Sequence, residues 1–209
     1  MNLGKIYEAV IPLQMREATD FAKGAYEKAG EAFPSSPEPL LASARVELSR
    51  NDLPRAREFL KAAISLKNDF AQAHFLLAQL EAATGNMDLA IESAETTAFL
   101  APNDVGALFQ LGLLYYQKER FADAKVVFER AVGINSSYSN ARYFLGLIYS
   151  REGDKNKALA EFQKIEELNP NNSEIKKIIE NLSHGKDPLF EISPPGPQPE
   201  NRGFAPIDN

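Results

Sequence analysis

Hydrophobic and small residues recur along the chain with a period of 34 residues. Each period contains a stripe in which positions i, i+4 and i+7 are mostly apolar or small, a spacing that places them on one face of an amphipathic helix. A second stripe precedes it, and around residue 112 that stripe includes Leu111, Gly112 and Tyr115. Two helices per period are therefore predicted. The alanine that begins the later stripe occurs five times, at Ala22, Ala56, Ala90, Ala124 and Ala158.

Turn-forming and helix-ending residues lie between these stripes. Tight turns inside a period are predicted at Asn51-Asp52, Gly85-Asn86 and Gly153-Asp154. Prolines that end the second helix are Pro34, Pro102 and Pro170. Glycine inside a helix costs about 1 kcal/mol relative to alanine, so Gly112 and Gly146 imply the close approach of another helix. Because one helix pair cannot bury both of its faces, the prediction is an all-α α-solenoid of stacked antiparallel helix pairs.

The order of these residues resembles the tetratricopeptide repeat (TPR) family, whose 34-residue pattern runs bulky residue, Leu-Gly, Tyr, Ala, Phe, Ala and Pro. Residues 139–172 match this pattern with Leu145, Gly146, Tyr149, Gly153, Ala158, Phe162 and Pro170. Residues 105–138 match it with Leu111, Gly112, Tyr115, Phe121, Ala124, Phe128 and Ala131. Residues 37–70 and 71–104 match less well, because Glu47 and Glu81 replace the tyrosine. The pentatricopeptide family, an RNA-reading relative with a longer period, is disfavoured by the register and by the acidic balance of the chain.

The resemblance implies that the α-solenoid is right-handed, and it divides the chain into four full units, 37–70, 71–104, 105–138 and 139–172. Residues 1–36 are expected to form a degenerate N-terminal helix pair, since Pro12 interrupts its first helix. Met1 is either a native start or the boundary of a fragment. Residues 173–184 are expected to form a capping helix, with an apolar stripe on one side and polar residues, including Asn181, on the other.

Residues 185–209 form a Pro-rich tail with six of the 13 prolines of the chain. Such a composition cannot build a core and favours polyproline II or disorder, so the tail is expected to be flexible. Two alternatives remain for its role. Either the tail is inert, or one of its apolar stretches, "PLFEI" or "FAPI", docks on a groove of its own chain or of a neighbour.

Charge and hydropathy exclude two classes of partner. The net charge is −6, so nucleic acid and anionic membranes would be repelled by the average surface. The longest apolar run without charge, from Val105 to Gln117, is shorter than the roughly 18 residues that span a bilayer, so no membrane insertion is expected. The N-terminus lacks the features of a signal peptide. A soluble domain in the cytoplasm or in a bacterial cell envelope fits these observations, and the compartment stays open.

The sequence shows no candidate catalytic, metal or cofactor site. There is no cysteine, and the two histidines, His74 and His184, are far apart. No Gly-rich phosphate loop, paired-carboxylate motif or His-Glu metal spacing occurs. A protein without enzymatic activity, metal or cofactor is therefore predicted.

The family resemblance implies that the first helix of each unit lines a concave groove. Residues predicted to face this groove are Leu41, Arg45, Phe75, Gln79, Phe109, Leu113, Tyr116, Tyr143, Leu147 and Arg151. We call these positions the groove columns. Exposed rings are good anchors for a peptide, although rings at helical spacing also pack between helices. Chaperone-binding members of the family grip a C-terminal carboxylate with Lys, Asn and Arg, and Leu41 and Arg45 occupy the corresponding places here, so that clamp is not expected.

These observations predict a protein–protein interaction module that binds a peptide or protein segment as an adaptor or assembly scaffold. One alternative follows from the stretches "IYEAVIP" and "GKDPL", which are similar to soluble C-terminal parts of bacterial membrane-embedded glycan ligases and polymerases. The chain would then be the appendage of such a protein. A second alternative is a scaffold that associates with itself as a homo-oligomer.

Overall fold

The computed structural model describes residues 28–192, together with residues 21 and 24–26. The predictions for most of residues 1–36, and for "FAPI", lie outside the described residues. Residues 28–32 are helical. The helices with both ends described are α1 (Glu38–Ser49), α2 (Leu53–Leu66), α3 (Ala71–Ala83), α4 (Met87–Leu100), α5 (Val105–Gln117), α6 (Phe121–Ile134), α7 (Ser139–Arg151), α8 (Lys155–Leu168) and α9 (Ser173–Ser183). The predicted all-α solenoid is confirmed.

Helix starts follow the sequence period, and polar side chains cap the first turns of four of the described helices. Helices α3, α5, α7 and α9 begin 34 residues apart. Asp52, Asp104 and Asp154 each accept a hydrogen bond from a backbone N–H three residues later, at the starts of α2, α5 and α8. Asn172 caps α9 in the same way, accepting from the N–H groups of Glu174 and Ile175.

Each tight turn inside a pair uses one residue in the left-handed backbone region. Gly85 and Gly153 have φ values of 81° and 82° there, as expected for glycine. The equivalent residues of the other two pairs are Asn51 at 60° and Glu119 at 57°. Asparagine tolerates this conformation, whereas a glutamate in it is strained. The sequence predicts the turns at residues 51, 85 and 153 but gives no signal for the one at Glu119.

Within the third and fourth pairs, a glycine on the first helix faces a phenylalanine on the second. A Cβ atom added to Gly112 would lie 2.5 Å from the Phe128 ring, and one added to Gly146 would lie 2.5 Å from the Phe162 ring. Both rings are fully buried. The close helix approach inferred from these glycines is therefore observed, and it is the reason that glycine is present at each position.

Neighbouring pairs are joined by one polar contact at each of three equivalent places. The Tyr115 hydroxyl on α5 donates to Glu95 Oε1 on α4 at 2.6 Å. Tyr149 on α7 repeats this contact, donating to Glu129 on α6 at 2.7 Å. In the preceding pair Glu81 on α3 takes the tyrosine's place, and Arg57 Nε on α2 donates to its Oε1 at 2.6 Å.

Glu81 is a buried carboxylate whose charge is compensated. Its hydrogen bond from Arg57 is the main reason that the pKa of the Glu81 carboxyl lies below its usual value, and a further bond from the Asn86 side chain acts in the same direction. Glu81 stands where the family pattern has a tyrosine, and it therefore replaces one polar contact between pairs by another.

None of the described helices is both long enough and apolar enough to cross a lipid bilayer. The longest uncharged apolar run of the sequence, Val105–Gln117, is helix α5 and forms part of the core between α4 and α7.

The glycine–phenylalanine contact predicts opposite effects for two Gly→Ala substitutions. Gly146→Ala places a methyl group against the buried Phe162 ring, so we expect a loss of about 1–3 kcal/mol in the free energy of unfolding. Gly133→Ala, on exposed α6 surface with nothing within 4 Å, should gain up to about 1 kcal/mol from helix propensity. Urea unfolding followed by far-UV circular dichroism measures both, and equal stability of the two variants would contradict the contact.

The strained turn at Glu119 predicts a stabilising substitution. Glu119→Gly relieves the left-handed strain, and we expect a gain of about 0.5–1 kcal/mol after the added freedom of the unfolded chain is subtracted. Gly153→Ala is the matched control, since nothing lies within 4 Å of that glycine and only backbone strain distinguishes the variants. Gly153→Ala should lose about 1 kcal/mol in the free energy of unfolding. The same urea titrations decide the sign, and a less stable Glu119→Gly variant would contradict the assignment.

Candidate functional site

The ten residues of the groove columns lie on α1, α3, α5 and α7, and the structure gives them three degrees of exposure. Arg45, Gln79 and Arg151 are exposed. Phe109, Leu113, Tyr116 and Tyr143 are half-buried. Leu41, Phe75 and Leu147 are buried.

The expectation that Leu41, Phe75 and Leu147 present surface to a partner is wrong for this structure. Their side chains are 4%, 6% and 9% exposed. Leu41 and Phe75 belong to the hydrophobic cluster of the first two pairs, and Leu147 belongs to the cluster that runs to α9. The alternative raised from the sequence, that some groove-column side chains pack between helices, applies to these three.

Four half-buried side chains form the apolar part of the site. The Phe109 ring contacts the rings of Phe128, Tyr138 and Phe144, with centroid distances of 5.9, 5.5 and 5.9 Å. The Tyr116 ring meets that of Phe144 edge-on at 5.0 Å. This packing holds the rings in place while leaving part of their surface exposed. Tyr138 and Phe144 support the cluster but were not singled out from the sequence, because they lie outside the groove columns.

Tyr143 is fixed by the last helix. Its hydroxyl donates to Glu174 Oε1 on α9 at 3.2 Å, and its ring meets that of Phe162 edge-on at 5.8 Å. Burial raises the pKa of the Tyr143 phenol, and the Glu174 carboxylate raises it further. The hydroxyl is therefore a protonated donor already engaged within the chain, and the ring edge is what remains for a partner.

Tyr116 and Arg151 lie together at the C-terminal ends of α5 and α7. The Arg151 guanidinium stacks over the Phe121 ring, 4.2 Å from its centroid. Burial raises the pKa of the Tyr116 phenol; Arg151 lowers it and Asp187 raises it. Asp187 follows α9 in sequence, so the chain beyond the last helix returns to the neighbourhood of the groove columns.

On α1 and α3, the exposed residues of the groove columns are polar. Arg45 on α1 donates from Nη2 to Gln72 Oε1 on α3 at 3.4 Å, and its side chain is exposed. Gln79 on α3 is also exposed. Among the groups with exposed surface, the columns thus change from hydrogen-bonding groups on α1 and α3 to mainly aromatic and aliphatic groups on α5 and α7, where Arg151 is the charged member.

The structure corrects the assignment of Asn181 to the polar face of the last helix. Asn181 is 1% exposed, and its amide donates to the carbonyl oxygens of Phe190 and Pro188 at 2.7 and 3.2 Å. Pro188 is buried, and Leu189 and Ile192 pack against the core cluster. Residues 188–192, the "PLFEI" stretch, thus dock on their own chain rather than extending away from it.

Two family models described as tetratricopeptide repeat match the chain, one over residues 41–105 and one over residues 115–182. Together they cover more than half of the 209 residues. Among curated proteins, anaphase-promoting complex subunit 3 of Schizosaccharomyces pombe (strain 972 / ATCC 24843) is 38% identical over 55 residues. That match spans 26% of this chain and only 8% of the yeast protein.

Solved structures with the same fold cover most of the chain. YrrB, described as a TPR protein with an unusual peptide-binding site, superposes with a TM-score of 0.71 and 22% identity, over 78% of this chain and 84% of its own. MamA superposes with a TM-score of 0.65 and 24% identity, over 78% of this chain and 92% of its own. Likenesses at this level of identity establish the arrangement of the helices alone.

Proposed function

Because the chain belongs to the tetratricopeptide repeat family, whose fold serves as a protein–protein interaction or scaffold module, we propose that it binds a peptide or protein segment along the groove columns. The observation that carries the proposal is the half-buried strip of Phe109, Leu113, Tyr116 and Tyr143 on α5 and α7. Repeat proteins of this family are generally not catalytic, and the role proposed is that of an adaptor or assembly scaffold.

The strip has the physical properties of a binding surface. Its rings are held by neighbouring aromatic side chains, so they lose little conformational freedom when a partner covers them. Rigid aromatic groups of this kind are the commonest anchors in interfaces, and truncating one typically costs about 2 kcal/mol or more of binding free energy. Leu113 lies between the rings in sequence and is the aliphatic member of the strip.

The polar end adds a preference for the orientation of the ligand. Arg45 and Gln79 are exposed and offer hydrogen-bond donors on α1 and α3. An apolar stretch of the ligand would cover the strip, and carboxylate or carbonyl oxygens would meet the polar end. The YrrB structure, whose fold is similar, is described as having a peptide-binding site, which supports a peptide as the class of ligand.

Two other functions stay predictions. These are the appendage of a membrane-embedded glycan ligase or polymerase, and a scaffold that associates with itself. No contact among the described residues favours either of them over the binding of a peptide or protein segment.

Photo-crosslinking tests the proposed surface. A benzoylphenylalanine at the position of Gln79 or of Leu113 should give covalent adducts with partner proteins in a lysate from the source organism. The same group at the exposed positions of Val126 or Leu89, on the second helices α6 and α4, is the matched control and should give none. Adducts of equal yield at all four positions would contradict a binding site on the groove columns.

A charge placed in the strip should weaken the binding of the captured partner. Leu113→Asp introduces a carboxylate beside the aromatic rings, and we expect about a tenfold loss of affinity for the crosslinked partner, measured by titration calorimetry. Val126→Asp makes the same change on the exposed surface of α6 and should leave the affinity unchanged. An unchanged affinity for Leu113→Asp would argue against the strip as the anchor.

A further inference from the structure

Residues 186–192, which we call the C-terminal segment, are held by a buried amide. Asn181 on α9 uses both protons of its side-chain nitrogen on carbonyl oxygens of this segment, at Pro188 and Phe190. A buried amide left without acceptors would cost about 1–3 kcal/mol, so this arrangement fixes the path of the segment. Since both acceptors are backbone atoms, Asn181 recognises the shape of the segment rather than its side chains.

The segment folds as two successive turns. The N–H of Phe190 donates to the Asp187 carbonyl at 3.1 Å, and the N–H of Ile192 donates to the Leu189 carbonyl at 3.0 Å. Glu191 between them has a φ of 57°, in the left-handed region. This compact shape differs from the extended polyproline conformation expected from its composition.

Apolar and charged contacts also dock the segment on the repeats. Leu189 and Ile192 pack against the cluster that includes Leu147, the buried member of the groove columns on α7. Lys177 on α9 forms a salt bridge with Glu191, with 3.9 Å between Nζ and Oε2. Phe190, in contrast, keeps much of its ring exposed, and its contact with the Lys186 ammonium lies within the segment.

The position of the segment relates it to the proposed binding surface. Asn181, which holds the segment, lies 34 residues after Leu147 and so takes on α9 the place that the groove columns have on α7. Tyr143, another member, donates to Glu174 on the helix that carries Asn181. The segment therefore lies at the end of the groove columns where their apolar residues are concentrated.

We propose that the C-terminal segment is a built-in occupant of this end of the groove columns, and that a partner segment with the same chemistry binds there by displacing it. The partner chemistry is a turn with a proline, two aliphatic side chains for the places of Leu189 and Ile192, and two carbonyl groups for Asn181. This inference rests on the proposed function. An attached segment competes at an effective concentration on the order of 1 mM, so a free peptide with an intrinsic Kd of about 100 µM would bind about tenfold more weakly.

The test uses a fluorescein-labelled peptide with the sequence of residues 185–192 and the full chain. Leu189→Asp with Ile192→Asp should release the attached segment, and fluorescence anisotropy should then show binding of the peptide at least about tenfold tighter than to the unmodified chain. Phe190→Asp is the matched control, because it adds a carboxylate to the same segment at an exposed side chain, and it should bind the peptide as weakly as the unmodified chain. Adding Asn181→Leu to the double variant should abolish its gain in affinity for the peptide.

Equal affinity for the unmodified chain and the double variant overturns the proposal, and so does an absence of binding to every variant. A measurement on the unmodified chain guards against a double variant that fails to fold: excess peptide should speed hydrogen exchange at the Phe190 and Ile192 amides, and unchanged exchange overturns the proposal. Crosslinking at Gln79, on the second pair, reports on the proposed function separately. If crosslinking at Gln79 gives adducts while the peptide does not bind as expected, only the proposal of a built-in occupant is refuted.

Discussion

The approach of two helices within a pair depends on the contact between a backbone without a side chain and a fully buried ring. Gly112 with Phe128, and Gly146 with Phe162, leave no room for even a methyl group between α5 and α6 or between α7 and α8. In the first two pairs other side chains take these places, Ala44 with Leu60 in the first pair and Ala78 with Ala94 in the second. All four are fully buried. Because the tight packing within each pair is repeated along the chain, the residues of successive first helices fall in columns.

The contact between pairs is conserved in position but not in chemistry. At residues 81, 115 and 149 a side chain on the first helix forms a hydrogen bond with the second helix of the preceding pair. A tyrosine hydroxyl donates to a glutamate in two cases, and a glutamate accepts from an arginine in the third. The replacement of tyrosine by Glu81 therefore weakens the family pattern without removing its physical function, since each version satisfies a polar group in the interface.

The sequence predicted the helices well because their positions depend on a period that the chain repeats. It predicted the turn at Glu119 poorly, since a glutamate, unlike glycine or asparagine, gives no signal for the left-handed region. For the site, spacing identifies the side of a helix but not the cover supplied by its neighbours, so Leu41, Phe75 and Leu147 were expected at the surface and are buried. Asn181 was misplaced because the backbone that covers it follows later in the chain and has a composition typical of disorder.

Three fully buried alanines lie inside the second pair. Ala78, Ala90 and Ala94 lie where the cluster around α1 and α2 gives way to the cluster that continues to α9. Dispersion and burial both scale with the number of contacting atoms, so each alanine contributes less than the phenylalanine at the equivalent place in the later pairs. The second pair therefore depends on the larger buried side chains beside the alanines, such as Leu77 and Leu80, for its share of the core.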